Sequence, residues 1–185
     1  MRTIVILALG SRGDVQPFVA LGMALQSRGY VVRLAAAADY RALAEDAGVP
    51  FAPVGGFIRE LMDFELVYQA LDASKHALPI GFARRFLEHI DPLVGQIVAD
   101  CWAAAQGCDA LVASSLGGLP GASIAERLSV PLVPAHMHPF SATRAWPDVS
   151  FPVLPAWLPM RGRYNRLTHA LSAHGRWQLL RGALN

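Results

Sequence analysis

The segment Gly10-Ser11-Arg12-Gly13-Asp14-Val15-Gln16-Pro17 sets two glycines, a cation and a carboxylate directly after the apolar run Thr3–Leu9. Glycines in such a loop let backbone N–H groups approach a ligand, and a helix N-terminus behind the loop favours anions. The segment meets neither the GxGxxG dinucleotide fingerprint nor the GK[ST] of a P-loop. Two readings stay open on local chemistry, a ligand-binding loop or a tight strand-to-helix turn. Asp14 also has two. It is a first-turn charge favoured by the helix dipole, or it is a general base. A solvated carboxylate titrates near ~4 and is a weak base, so the second role needs a bound acceptor that covers it and excludes water.

Other reactive side chains are more ordinary. His136 and His138 flank Met137 after a strand-like segment, and on extended backbone both rings share a face. No Asp, Glu or Cys nearby completes a ligand set, so no metal is expected, and the pair reads as pocket-lining or hydrogen-bonded loop histidines. His76, His89, His169 and His174 have no spacing that singles them out. Ser114-Ser115 follow a strand but not as GxSxG, which argues against a hydrolase elbow. Glu126 reads as a surface or structural carboxylate. Cys101 and Cys108 form neither a CxxC pair nor a disulfide framework, and Cys101 lies on an apolar helical stripe. A buried thiol in a reducing compartment follows.

These residues need elements to position them. Thr3–Leu9 predicts a central strand buried on both faces. Pro17 predicts a helix start, with Phe18, Leu21 and Leu25 on one face and Gly29 as the stop. Val31–Ala36 predicts a second strand. Asp39 is expected to cap a helix running to Ala47, ended by Gly48. Phe51–Val54 predicts a third strand. This alternation implies right-handed crossovers and a parallel sheet. Further on, a helix is expected over Glu60–Leu71 and a break at Leu78-Pro79. Ile90, Leu93, Val94, Ile97, Val98, Cys101 and Trp102 then repeat at helical spacing, with Pro92 near a start or kink. Ala110–Ala113 and Leu132–Ala135 predict two more strands, with a helix over Ala122–Leu128 between them. Five of the chain's 13 prolines fall in Pro139–Pro159, beside Trp146 and Trp157. That stretch reads as an ordered loop over a cavity. A last helix is expected over Arg163–Leu184, with Leu167, Leu171, Trp177, Leu180 and Leu184 as its apolar stripe.

Composition bounds the possibilities. With 185 residues, 54% of them hydrophobic, the chain suits one α/β domain with a substantial core. A net charge of +2 gives no argument for nucleic acid. No apolar run reaches the ~18 residues of a membrane span, and no signal-peptide pattern opens the chain, so a cytoplasmic protein is expected. Fifteen arginines against one lysine, with abundant alanine, suit a GC-rich bacterial genome. Asp148 is the last acidic residue, whereas Arg161, Arg163, Arg166, Arg176 and Arg181 follow it. This reads as a solvated helix face, or as a surface for an acidic partner or the inner face of an anionic membrane.

The opening stretch GSRGDVQPFVALGMALQSRGYVVRLAA resembles the start of GT-B glycosyltransferases of the sterol-glucosyltransferase and glycopeptide-antibiotic-glycosyltransferase kind, whose N-terminal domain is that of glycosyltransferase family 28. The family's first loop reads G-[ST]-R-G-D-V-x-P, and every fixed position is present from Gly10 to Pro17. Ala47-Gly48-Val49 before Pro53-Val54-Gly55, the run Ile124–Pro131, and Pro139–Pro147 (P-x-x-x-T-x-x-x-P) also match. Tyr30 stands where the family usually has His, and Ala36-Ala37-Ala38 replaces a more polar strand end. The resemblance implies a Rossmann-like parallel sheet flanked by helices, one half of a GT-B fold, with 1–185 as the N-terminal acceptor-binding domain and the C-terminal nucleotide-sugar domain absent. It implies an inverting transfer of a hexose from a UDP- or dTDP-sugar to a hydroxyl of an apolar acceptor, such as a sterol, polyketide, other aglycone or lipid. Asp14 would be the base. Ser11, Arg12 and Gly13 would line the donor cleft, and His136, His138 and Trp146 the acceptor pocket. The nucleotide-sugar is a co-substrate, and no cofactor or metal is expected. The competing reading is a non-catalytic binding or auxiliary subunit with the same N-terminal architecture. A nucleotide-binding oxidoreductase would need the GxGxxG that is missing.

Overall fold

The computed structural model describes residues 1–55, 94–137, 141–148 and 151–184. They fall into two compact units, Met1–Met137 and His138–Asn185. The expected helix over Glu60–Leu71, the break at Leu78-Pro79 and the first part of the next helix lie outside the described residues, as does His138.

The first unit is built on a five-stranded parallel sheet: β1 (Thr3–Leu7), β2 (Val31–Ala37), β3 (Phe51–Val54), β4 (Ala110–Ala113) and β5 (Leu132–Pro134), in the order β3-β2-β1-β4-β5. β1 is central. Ile4 is in register with Val32 on one side and Ala110 on the other. The pleat then divides the apolar run between two cores. Val5, Leu7 and Leu9 pack with Ile97, Cys101, Ala104, Ala105 and Ile124, while Ile6 and Ala8 pack with Val15, Phe18, Val19 and Leu34. The first set draws on a helix over 94–105 (α3) and on α4 (Gly118–Leu128). The second draws on α1 (Arg12–Gln26) and α2 (Arg41–Glu45). A sheet covered on both faces is what the unbroken hydrophobicity of Thr3–Leu9 requires.

Several boundaries differ from expectation. β1 ends at Leu7, although Ala8 N still donates to Ala35 O at 2.9 Å. α1 begins at Arg12 and carries Pro17 inside it, because Ser11 provides the N-cap and Asp14 the third position. The proline forgoes the hydrogen bond that its missing N–H would have made to the Gly13 carbonyl, and its ring crowds that carbonyl. Asp39 caps nothing. It sits in a 3-10 turn, Ala38–Tyr40, and α2 after it is held by an Arg41–Glu45 pair at 2.9 Å. α4 starts before Ala122, with Pro120 in its first turn, where no N–H is needed. Pro53 is exposed on β3 and Pro134 on β5, the two edge strands, where a missing donor is tolerated.

In the second unit, 141–148 and 151–160 hold neither helix nor strand, and α5 (Arg161–Leu184) follows. The expected apolar stripe is reversed where it is described: Leu167 and Leu171 are 56% and 50% exposed, and the buried positions are Asn165, Thr168 and His169. The loop before the helix explains this. Asn165 Nδ2 donates to Arg144 O at 2.9 Å, Asp148 N donates to Thr168 Oγ1 at 2.9 Å, and His169 Nε2 lies 3.1 Å from Trp146 O. Buried loop backbone needs polar partners, and leucines cannot supply them. Trp146 and Trp157 are both exposed.

Cys101 and Cys108 are buried free thiols. Burial first, and the Asp100 carboxylate second, push the Cys101 thiol up from 9.0 to about 12. A raised folded value means that the native state resists forming the thiolate. Stability from this group is therefore complete below its ordinary value of 9.0 and is lost as pH rises toward about 12. The Cys101→Ala variant is expected to show a shallower fall of urea midpoint across that alkaline range than the parent. In the native parent, Cys101 is expected to resist a thiol-specific disulfide reagent until the protein unfolds.

Candidate functional site

All five strands run parallel, so their carboxyl ends lie on one edge of the sheet, where ligands bind in open α/β folds. Three connections meet there. The β1–α1 loop carries Ser11, Arg12, Gly13 and Asp14, the β4–α4 turn carries Ser114 and Ser115, and His136 follows β5. Ser114 is 2% exposed. Its Oγ accepts from Leu9 N at 3.0 Å and from Gly117 N at 3.2 Å, and donates to Leu9 O at 3.0 Å. Ser115 Oγ lies 3.1 Å from His136 Nδ1. These contacts join the ends of β1, β4 and β5, the convergence expected from the sequence.

Within the first loop, Gly10 is fixed by two constraints. Its φ is +140°, and a Cβ built there would lie 2.6 Å from Asp14 Cβ and Cγ. Asp14 is half-buried. Its Oδ2 accepts from Ser11 N at 2.8 Å and from Ser11 Oγ at 2.9 Å, while Asp14 N donates to Ser11 O at 2.9 Å. The carboxylate thus satisfies the chain at the start of α1. Its Oδ1 receives no hydrogen bond from the described residues. Both readings of Asp14 therefore have a geometric basis: one oxygen is structural and the other is open.

Ser11, Arg12 and Gly13 are exposed. Arg12, at the first position of α1, reaches Gln16 Oε1 with its Nε at 3.2 Å. Gly13 differs from Gly10. Its φ is not positive, and a Cβ there would meet only Ser11 Oγ, at an ordinary 3.6 Å. The fold does not need a glycine at this position. His136 is exposed. Trp146 belongs to the second unit and is 48% exposed, with its carbonyl held by His169. The described residues contain no group of three His, Cys, Asp or Glu able to hold a metal, and no helix long and apolar enough to cross a membrane. Sequence reasoning passed over Ser114 after rejecting a nucleophile elbow. The available signal was a hydroxyl residue at the end of an apolar strand, where it can take over backbone hydrogen bonds that the ladder leaves open.

Residues 4–147 match the glycosyltransferase family 28 N-terminal domain. The chain belongs to that family. Relatives of this glycosyltransferase domain extend the match almost from end to end. The sterol 3-beta-glucosyltransferase of Komagataella phaffii is 30% identical over 181 residues, covering 98% of this chain and 14% of the relative. The UDP-sugar-dependent glycosyltransferase 52 of Dictyostelium discoideum is 34% identical over 184 residues, covering 98% of this chain and 10% of the relative. The chain thus spans a small part of the length of either relative. Among solved structures, glycosyltransferase VinC in complex with DTDP superposes with a TM-score of 0.54 at 19% identity, covering 98% of this chain and 43% of VinC. That likeness shows the Rossmann-like GT-B half-fold.

The two loop glycines should respond oppositely to alanine. Gly10→Ala forces a side chain into left-handed backbone and onto Asp14, and is expected to cost about 2 kcal/mol or more in urea unfolding. Gly13→Ala in a helical first turn is expected to be neutral or to stabilise by up to about 1 kcal/mol.

Proposed function

We propose that this domain is the acceptor-binding half of an inverting glycosyltransferase and that Asp14 is its general base. The observation that carries the reading is the division of labour within the Asp14 carboxylate. Oδ2 is held twice by Ser11, which fixes the group, while Oδ1 is left to take a proton from a bound hydroxyl. The acceptor oxygen then forms a bond to the anomeric carbon of the donor sugar. The bond from that carbon to the nucleoside diphosphate breaks, its electron pair leaves with the phosphate, and configuration inverts. The leaving diphosphate needs charge stabilisation and no acid of the glycosidase type.

Gly13 supports a donor role for the loop. The fold leaves its glycine unexplained, and a bare backbone N–H beside the Arg12 guanidinium and the α1 N-terminus suits close approach of a phosphate. A second domain supplies the remaining donor contacts. The name of the Dictyostelium relative favours a UDP-sugar, with a dTDP-sugar as the alternative raised by the VinC complex. The Komagataella relative favours a sterol among the apolar acceptors. His136, exposed and braced by Ser115, is the acceptor-side residue of the first unit.

The domain alone is expected to bind sterol weakly and to transfer no sugar. Joined to a nucleotide-sugar-binding domain of the same family, it is expected to move radiolabelled glucose from UDP-glucose to a sterol. In that enzyme Asp14→Asn retains an oxygen to accept from Ser11 but cannot act as a base. The expected result is a ~10²–10⁴-fold loss in kcat with little change in melting temperature. Normal kcat with a lowered melting temperature would instead confine Asp14 to the start of α1. Gly13→Ala is expected to raise KM for UDP-glucose while leaving the fold at least as stable. An unchanged KM would remove Gly13 from the donor cleft.

A further inference from the structure

We infer that Ser114 is the positioning residue for Asp14. The inference rests on the reading of Asp14 as the base, and it concerns a side chain that touches neither substrate nor the reacting atoms. A hydroxyl has one proton to give and two lone pairs to receive, and Ser114 uses all three. It donates to Leu9 O and accepts from Leu9 N and Gly117 N, in a site 2% exposed. Its own backbone N donates to Leu7 O at 2.9 Å, so the main chain of Ser114 pairs with β1 and its side chain continues that pairing beyond the last strand residue.

From there the restraint runs directly to the carboxylate. Leu9 is clamped at both backbone polar groups. Gly10 turns at φ +140° with the Asp14 side chain packed where a Cβ would be. Ser11 then donates twice to Asp14 Oδ2. Gly117 completes the clasp, because a Cβ on it would collide with Leu7 O. Loops at a sheet edge are the least restrained part of an α/β fold, and this one is anchored by a single buried hydroxyl on a neighbouring turn. Alanine at this position offers neither donor nor acceptor, so all three backbone groups lose a buried partner.

Two measurements on Ser114→Ala test this. In the isolated domain, amide hydrogen exchange at Leu9 and Ser11 is expected to accelerate at least ~10-fold, with Val5 and Ile6 in the middle of β1 unchanged. In the two-domain enzyme kcat is expected to fall by ~10–100-fold with KM for UDP-glucose within about two-fold, since small displacements of a reacting group carry losses of that size. In the Asp14→Asn background the same change is expected to cost less than about two-fold, because there is no base left to misplace. Unchanged kcat in Ser114→Ala, alongside an inactive Asp14→Asn, overturns the positioning role and leaves the base intact. An equal loss in both backgrounds also overturns it, assigning Ser114 to stability. Full activity of Asp14→Asn overturns the reading of the base itself, and the positioning role with it. Should Ser114→Ala fail to fold, Ser114→Cys, a slightly larger side chain with a weaker hydrogen-bonding group, takes its place with the same expected outcomes.

Discussion

The carboxyl end of β1 governs the rest of the first unit. Leu7 O receives Ser114 N, and the Gly117 backbone lies so close to the same oxygen that no side chain fits on it. Two residues later Leu9 is taken up on both polar groups by one hydroxyl. This close approach sets the height at which the β1–α1 loop leaves the sheet. The start of α1 follows from it, as does the packing of Val15, Phe18 and Val19 on the far face. Displacement of the β4–α4 turn would therefore be felt on both sides of the sheet, since close-packed interiors transmit strain.

Asp14 shows how one carboxylate holds a helix start and still keeps an oxygen open. A helix start needs partners for its unpaired N–H groups, and an acid in the first turn is also favoured by the dipole. Such a group is usually spent on those needs. Here the hydrogen bonds from Ser11 both fall on Oδ2, so the restraint that holds the carboxylate is separate from the oxygen left open. Under the proposed function, a carboxylate fixed in this way before the acceptor arrives limits the ordering cost at the moment of reaction. The cost is borne by glycine at position 10, where no other residue accommodates both the backbone angle and the neighbouring carboxylate.

The second unit follows a different logic. Its buried helix face is polar because the described residues before it, 141–148 and 151–160, hold neither helix nor strand and must find partners for their backbone. Asn165, Thr168 and His169 meet that demand for Arg144, Asp148 and Trp146. Leu167 and Leu171 are left outward by default. Hydrophobic periodicity fails as a guide when a helix packs against loop rather than against another regular element, because unsatisfied buried amides and carbonyls cost more than exposed leucine side chains.

The sequence by itself determined the fold class, the order of the strands along the chain, and the family to which its first loop belongs. Thr3–Leu9 is apolar without interruption, which only a strand covered on both faces tolerates, and the spacing of the strands left room only for crossover connections. Residue types from Gly10 to Pro17 left Asp14 between a helix-start charge and a base, and only the family resemblance favoured the base. Sequence could not place the start of α1, because Pro17 is a strong local signal while the competing Ser11–Asp14 contacts are made only once Gly10 has turned. It read α5 by its leucines, because the loop that buries the opposite face has no periodicity to announce it. Ser114 announced a strand-end hydroxyl, but the partner of that hydroxyl was invisible for a similar reason. Its three hydrogen bonds include a pair to Leu9, 105 residues away, and a side chain that pairs across such a separation has no local pattern. Only the parallel registry of β1 with β4 brought that hydroxyl under the loop that carries Asp14.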